Sequence, residues 1–211
     1  MASTLETIIF YGALIIYSLI FFFLLYWRLW FLRDPQRISP KGRTIVSPAD
    51  GKILKIATIK KPNIKVDKGY LGKIYTATKN IAPETRLISI FMSPLDVHYN
   101  RVPVDGKVLS INHTKGTFFA ANNLEKSLQN EKNEVLIENR QLGKVKVIQV
   151  AGFLARRISC YVTKNQNVIK GEKLGLINLG SQCVLILPKK IRIRVKQGQQ
   201  VYGGITIIGD Y

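Results

Sequence analysis

An uncharged stretch of 20 residues, IIFYGALIIYSLIFFFLLYW at positions 8 to 27, most constrains how this chain can fold. As a helix it is long enough to cross the hydrocarbon core of a bilayer. A signal peptide would open with basic residues and close on small ones. Here the start carries Glu6 and no Lys or Arg, and the far end runs into Trp27, Trp30 and Phe31. The stretch therefore reads as a retained anchor, with Tyr26, Trp27 and Trp30 at the membrane–water interface. Arg28, Arg33, Arg37, Lys41 and Arg43 follow it. By the positive-inside rule that bias puts the rest of the chain on the cytoplasmic side of the cell membrane, after a single pass. The expected division is an anchor over residues 1–33 and a second domain over 34–211.

Charge narrows the partners. The 211 residues hold 32 Lys and Arg against 13 Asp and Glu, a net charge of +19. Such an excess suits a polyanion, either nucleic acid or an anionic membrane surface. Aromatic residues do not interleave with the basic ones as a base-stacking platform would need, which argues against nucleic acid. Anionic lipid then accounts for the charge, at about 1 kcal/mol per basic residue near the surface. Two cysteines, Cys160 and Cys183, are too few for a disulfide scaffold. No CxxC or HxxH cluster occurs, so no metal site is expected. His98 and His113 are the two imidazoles, and His113, within the polar INHTKG, reads as a turn residue.

Beyond the basic linker RDPQRISPKGR the chain turns β-rich. Short runs such as TRLISIFM, KVKVIQVAGF, CVLILP, IRIRV and ITIIG alternate with Gly, Pro, Asn and Asp. A weak helix is expected only around residues 117 to 132. DGKILKI at 50–56 is echoed by DGKVLSI at 105–111, and QNVIKGEKLGLI at 166–177 by QQVYGGITIIG at 199–209. The paired pattern resembles the barrel-sandwich folds of lipoyl and biotinyl carriers. The expected fold is mainly β, a compact sandwich or barrel with duplicated hairpins and little helix, preceded by one transmembrane helix. A non-catalytic, membrane-anchored adaptor with a lipoyl-like domain would show the same repeats. A carrier would in addition expose a modifiable Lys at a hairpin tip.

Four segments carry a sharper signal: FLRDPQR (31–37), VSPADGKI (46–53), FMSPLDVHYNRVPVDGKV (91–108) and LGSQ (179–182). In this order they resemble the phosphatidylserine decarboxylase family in its short, membrane-anchored form, and GTFFAANNLEKSLQNEKNE (116–134) and VAGFLARRI (150–158) extend the likeness. The resemblance implies a proenzyme that cuts itself between Gly180 and Ser181, giving pieces 1–180 (β chain) and 181–211 (α chain). It implies a pyruvoyl cofactor made from Ser181, and an anionic phospholipid whose serine headgroup is decarboxylated. The serine hydroxyl needs a base to take its proton. His98 is the expected base and Asp50 the carboxylate orienting it, a serine–histidine–aspartate arrangement defined by roles. Arg101, Arg156 and Arg157 are candidates for the lipid phosphate, because guanidinium forks fit phosphate. Long bacterial members carry a second histidine where this chain has Arg101, and Thr where it has Gln182. A homo-oligomer stays open.

Overall fold

The computed structural model describes residues 2–60, 81–116, 130–152, 157–178 and 181–211. It divides into two compact units, Met1–Pro35 and Gln36–Tyr211. In the first, helix α1 (Ala2–Leu25) passes into π-helical turns over Tyr26–Phe31. The wider turns stack Trp27 on Phe31 with ring centroids 4.6 Å apart. Arg33 then closes the helix: its Nη1 donates to the Trp30 carbonyl at 2.8 Å and its guanidinium lies 4.4 Å from the Trp30 ring centroid. The apolar helix spans 29 residues, Ser3–Phe31, with mean hydropathy 2.6, long and apolar enough to cross a membrane. It outruns the uncharged stretch at both ends because Thr4, Leu5, Leu29 and Phe31 offer no stop signal.

The second unit is mainly β. Strands β1 (Thr44–Val46), β2 (Gly51–Lys60) and β3 (Glu84–Met92) come first. Next come β4 (Tyr99–Arg101), β5 (Gly106–Thr114), β6 (Lys132–Asn139), β7 (Gly143–Ala151), β8 (Ile158–Cys160), β9 (Asn167–Val168) and β10 (Lys173–Ile177). The chain ends with β11 (Ser181–Pro188), β12 (Arg192–Ile193), β13 (Gln200–Val201) and β14 (Ile207–Asp210). The helix expected across 117–132 falls mostly outside the described residues, and Lys132 already begins β6.

Strand order reveals a duplication. An eight-stranded sheet runs β13-β2-β3-β11-β7-β6-β5-β9 and curls into a half-barrel, while two three-stranded sheets run β1-β14-β12 and β4-β10-β8. The orders map onto each other when β1 is matched with β4, β2 with β5, β3 with β6, β11 with β7, β12 with β8, β13 with β9 and β14 with β10. One half is continuous, β4 to β10. The other is split, with β1–β3 before it and β11–β14 after it. In the continuous half, β6 and β7 form a hairpin closed at Asn139↔Gly143. Its counterpart, β3 with β11, would close at Met92↔Ser181, but residues 93–180 stand there instead.

The sequence repeats mark the same symmetry in atomic terms. Val201 pairs with Gly51 as Val168 pairs with Gly106. Asp50 Oδ1 accepts the Gly203 N–H at 2.7 Å, and Asp105 Oδ1 accepts the Lys170 N–H at 2.8 Å. The Val46 N–H donates to Pro103 O at 3.0 Å, and the Arg101 N–H donates to Pro48 O at 2.8 Å. Each DGK glycine is required by close approach: a Cβ on Gly51 would lie 2.0 Å from Phe91 O, and one on Gly106 2.4 Å from Glu138 O.

The apolar core fills the concave side of the sheet with residues such as Ile53, Ile88, Ile90, Val135, Val147, Cys183, Leu185 and Leu187. Each buried aliphatic side chain contributes about 1.5–3 kcal/mol. Leu87, Ile148, Val150, Val184 and Ile186 form a second cluster on the other face. Strand β11 is thus buried on both faces at every position, which explains its unbroken apolar run.

The two related aspartates differ in one respect. Asp50 is also gripped by Arg37, whose Nη1 and Nη2 reach its two oxygens at 2.5 and 2.8 Å while Nη1 donates to Gly203 O at 2.7 Å. Both side chains are buried, 7% and 6% exposed. Asp50→Ala should leave a buried guanidinium without its carboxylate and cost about 3–5 kcal/mol. Asp105→Ala, which removes one exposed hydrogen bond, should cost about 1 kcal/mol. Denaturant unfolding of both full-length variants in detergent micelles checks the difference; equal losses would refute it.

Candidate active site

Ser181 is the first residue of β11, held between Met92 on β3 and Ala151 on β7. It is fully buried. Pairing on both edges fixes its backbone, and the inward phase of the strand sends its side chain to the concave face. There Oγ donates to Met92 Sδ at 3.2 Å. A thioether is a weak acceptor, so the hydroxyl proton is loosely held. Gly180 lies outside the described residues.

His98 is fully buried just before β4. Its carbonyl accepts the Ile177 N–H at 3.4 Å, which places it beside the end of β10, close in sequence to Ser181. Its Nδ1 lies 2.8 Å from the Asp96 carbonyl oxygen. A carbonyl can only accept, so Nδ1 carries a proton, and when the ring is neutral its lone pair lies on Nε2. That is the tautomer a general base requires.

The structure does not join Asp50 to this imidazole. Its oxygens go to Arg37 and the Gly203 N–H, and the place expected for it at His98 Nδ1 is taken by the Asp96 carbonyl. The physical reason is the buried guanidinium, which outcompetes a neutral ring for a carboxylate. Arg101 is 8% exposed and turns inward, its Nη1 donating to Gly171 O at 3.3 Å. Arg157 is exposed, and its carbonyl accepts the Asn178 N–H at 3.3 Å, beside the strand leading to Ser181. Arg156 lies outside the described residues. His113, expected in a turn, is on β5 with Nε2 3.1 Å from Glu131 Oε1.

Three polar residues near Ser181 escaped sequence reasoning: Asn100, Asn133 and Gln149, all buried. A signal existed. Val145, Val147 and Ala151 share the inward phase of β7 with Gln149, and Val135 and Ile137 share that of β6 with Asn133. A polar residue in an apolar inward row points to a buried hydrogen-bond partner.

The hairpin tips do not suit a carrier. Lys170 Nζ donates to Gly42 O, Thr44 O and Thr44 Oγ1 at 3.0, 3.4 and 2.9 Å, and the related tip holds Tyr202–Gly203 with no lysine. A buried serine on a sulfur acceptor is instead a dry site with a transferable proton.

Comparison with known proteins gives the family. A family model for phosphatidylserine decarboxylase matches residues 24–209. The chain is similar to the phosphatidylserine decarboxylase proenzyme of Chlorobium limicola, 41% identical over 190 residues, covering 90% of this chain and 81% of that one. It is likewise 41% identical over 182 residues to that of Prosthecochloris aestuarii, covering 85% and 75%. The chain belongs to the phosphatidylserine decarboxylase family.

Proposed function

We propose that this decarboxylase is made as a proenzyme, cuts itself between Gly180 and Ser181, and converts the serine headgroup of phosphatidylserine to ethanolamine. The observation that carries the reading is Ser181: a fully buried hydroxyl at the head of a central strand, held among the described residues by a thioether. His98 Nε2 takes the Oγ proton, and Oγ attacks the Gly180 carbonyl carbon. The Gly180–Ser181 C–N bond breaks and an ester replaces it. Loss of the Ser181 Cα proton expels the Gly180 carboxylate and leaves dehydroalanine. Its imine tautomer takes up water and releases ammonia, giving the pyruvoyl group. That group, once formed, supplies the electron sink for decarboxylation.

The chain's own residues do the rest. His98 Nε2 returns a proton to the substrate carbon that has lost its carboxylate. Arg157, exposed beside Asn178, offers a fork to the lipid phosphate, and Arg156 next to it joins in. Arg101 supports the Gly171 tip from inside. Asp50 acts at a distance, by fixing Arg37 and the Gly203 tip around β2. Residues 181–211 stay in place after the cut, because β11 is hydrogen-bonded to β3 and β7. The apolar helix spans the cell membrane and holds the second unit at its cytoplasmic face, with the positive charge drawn to anionic lipid.

Ser181→Ala should yield one uncut chain with no decarboxylase activity, whereas the parent gives a piece beginning at residue 181 with a blocked terminus. Mass spectrometry of the purified protein distinguishes them, and a cut Ser181→Ala chain would sink the serine-attack step. His98→Ala should slow the cut by about 10²-fold or more, read as the rate of appearance of the small piece on a denaturing gel.

Sidedness has its own check. Protease added outside intact cells should spare the unit after Pro35, and its degradation there would reverse the orientation.

A further inference from the structure

The concave face carries a line of buried amides that the reaction above does not use. Asn133 Nδ2 donates to Gln149 Oε1 at 2.9 Å, and Gln149 Nε2 donates to Asn100 Oδ1 at 2.9 Å. Asn100 Nδ2 faces Met92 Sδ at 3.5 Å, and that same sulfur receives Ser181 Oγ at 3.2 Å. Asn100, Gln149 and Asn133 are 0%, 0% and 1% exposed. Amides at this depth are tolerated only when paired. Room is left for them: a Cβ on Gly175 would lie 2.6 Å from Gln149 Nε2.

The polarity of the line is set at its end. A thioether has lone pairs and no proton, so the group of Asn100 that faces it must be nitrogen. Asn100 Oδ1 then faces Gln149 and demands nitrogen there. Gln149 Oε1 in turn demands nitrogen from Asn133.

We propose that Asn100 is a positioning residue for the self-cleavage of Ser181, its nitrogen locked by Gln149 and Asn133 toward Met92 Sδ, the sulfur that receives Ser181 Oγ. The proposal rests on Ser181 being the nucleophile of that cleavage. Nitrogen in this place leaves the hydroxyl only a weak sulfur acceptor, so its proton stays available to His98. Oxygen in the same place would face the sulfur's lone pairs, push Met92 Sδ from its position and so shift the hydroxyl that this sulfur holds.

The test reverses the polarity while keeping the shape. In Asn100→Asp the ionised carboxylate turns an oxygen to Met92 Sδ. In Gln149→Glu it demands a proton from Asn100, whose amide must then rotate. The residues facing Gln149 are Asn133 from β6, Cys183 from β11, Asn100 from β4 and Gly175 from β10. None is charged near neutrality, since burial pushes the Cys183 thiol up. Cleavage is followed in full-length chains by pulse-labelled synthesis into lipid nanodiscs, each rate divided by that of the parent at the same pH. Above neutral pH both variants should cleave at least about tenfold more slowly. The ratio should return toward one in acid, where the introduced carboxyl regains a proton to donate.

Parent-like rates at every pH overturn the proposal. So does a slow ratio that is flat with pH, the signature of lost packing. If either carboxylate blocks folding, Gln149→Met keeps the length and unlocks Asn100; it should be slow with no acid recovery, and parent-like cutting would overturn the lock. A parent that never cuts at residue 181 overturns the self-cleavage reading itself, and the lock with it.

Discussion

Everything in this unit depends on β11 being enclosed. It is paired along both edges and covered on both faces, so no residue in it can shift without breaking a ladder or opening a void. A serine at its first position inherits that rigidity. Two ladders hold its backbone, so the direction in which its side chain leaves the strand is fixed before any chemistry begins.

The second organising contact is the ion pair between Arg37 and Asp50. It joins the segment after the apolar helix, the turn before β2 and the tip before β14 through one carboxylate and one guanidinium. In the related half, Asp105 keeps the bond to its tip but is exposed and has no guanidinium of this kind among the described residues. The duplication thus preserved the aspartate's backbone duty, and one copy recruited an arginine from upstream. An aspartate expected at a histidine from its position in the motif is held by a guanidinium instead.

Much of the architecture was legible because its causes are local. DGK recurs since an aspartate must cap a tip and a glycine must admit a neighbouring carbonyl. The unbroken apolar run of β11 announced burial on both faces. Ser181, Gly180 and His98 came from the family likeness; single residues in turns carry no periodicity. Arg37 was quoted in a motif but not recognised as the partner of Asp50, because an ion pair between a linker and a turn leaves no pattern. The line from Asn133 through Gln149 to Asn100 joins the β6–β7 hairpin to β4, across a long interval of sequence. Its trace was a break in the inward rows of β6 and β7, visible only once those rows are aligned.

The split half has a consequence for the order of the chain. One repeat sits nested in the other, entering after Met92 and returning at Ser181, where its twin has only the turn between Asn139 and Gly143. A nested segment has two seams, and each alone suffices to keep it attached. Opening the return seam converts the guest repeat into a terminal extension of the host and leaves every strand beside its former neighbours. Fresh ends at that seam would therefore come at little topological cost, because the guest repeat stays joined to its host through the other one.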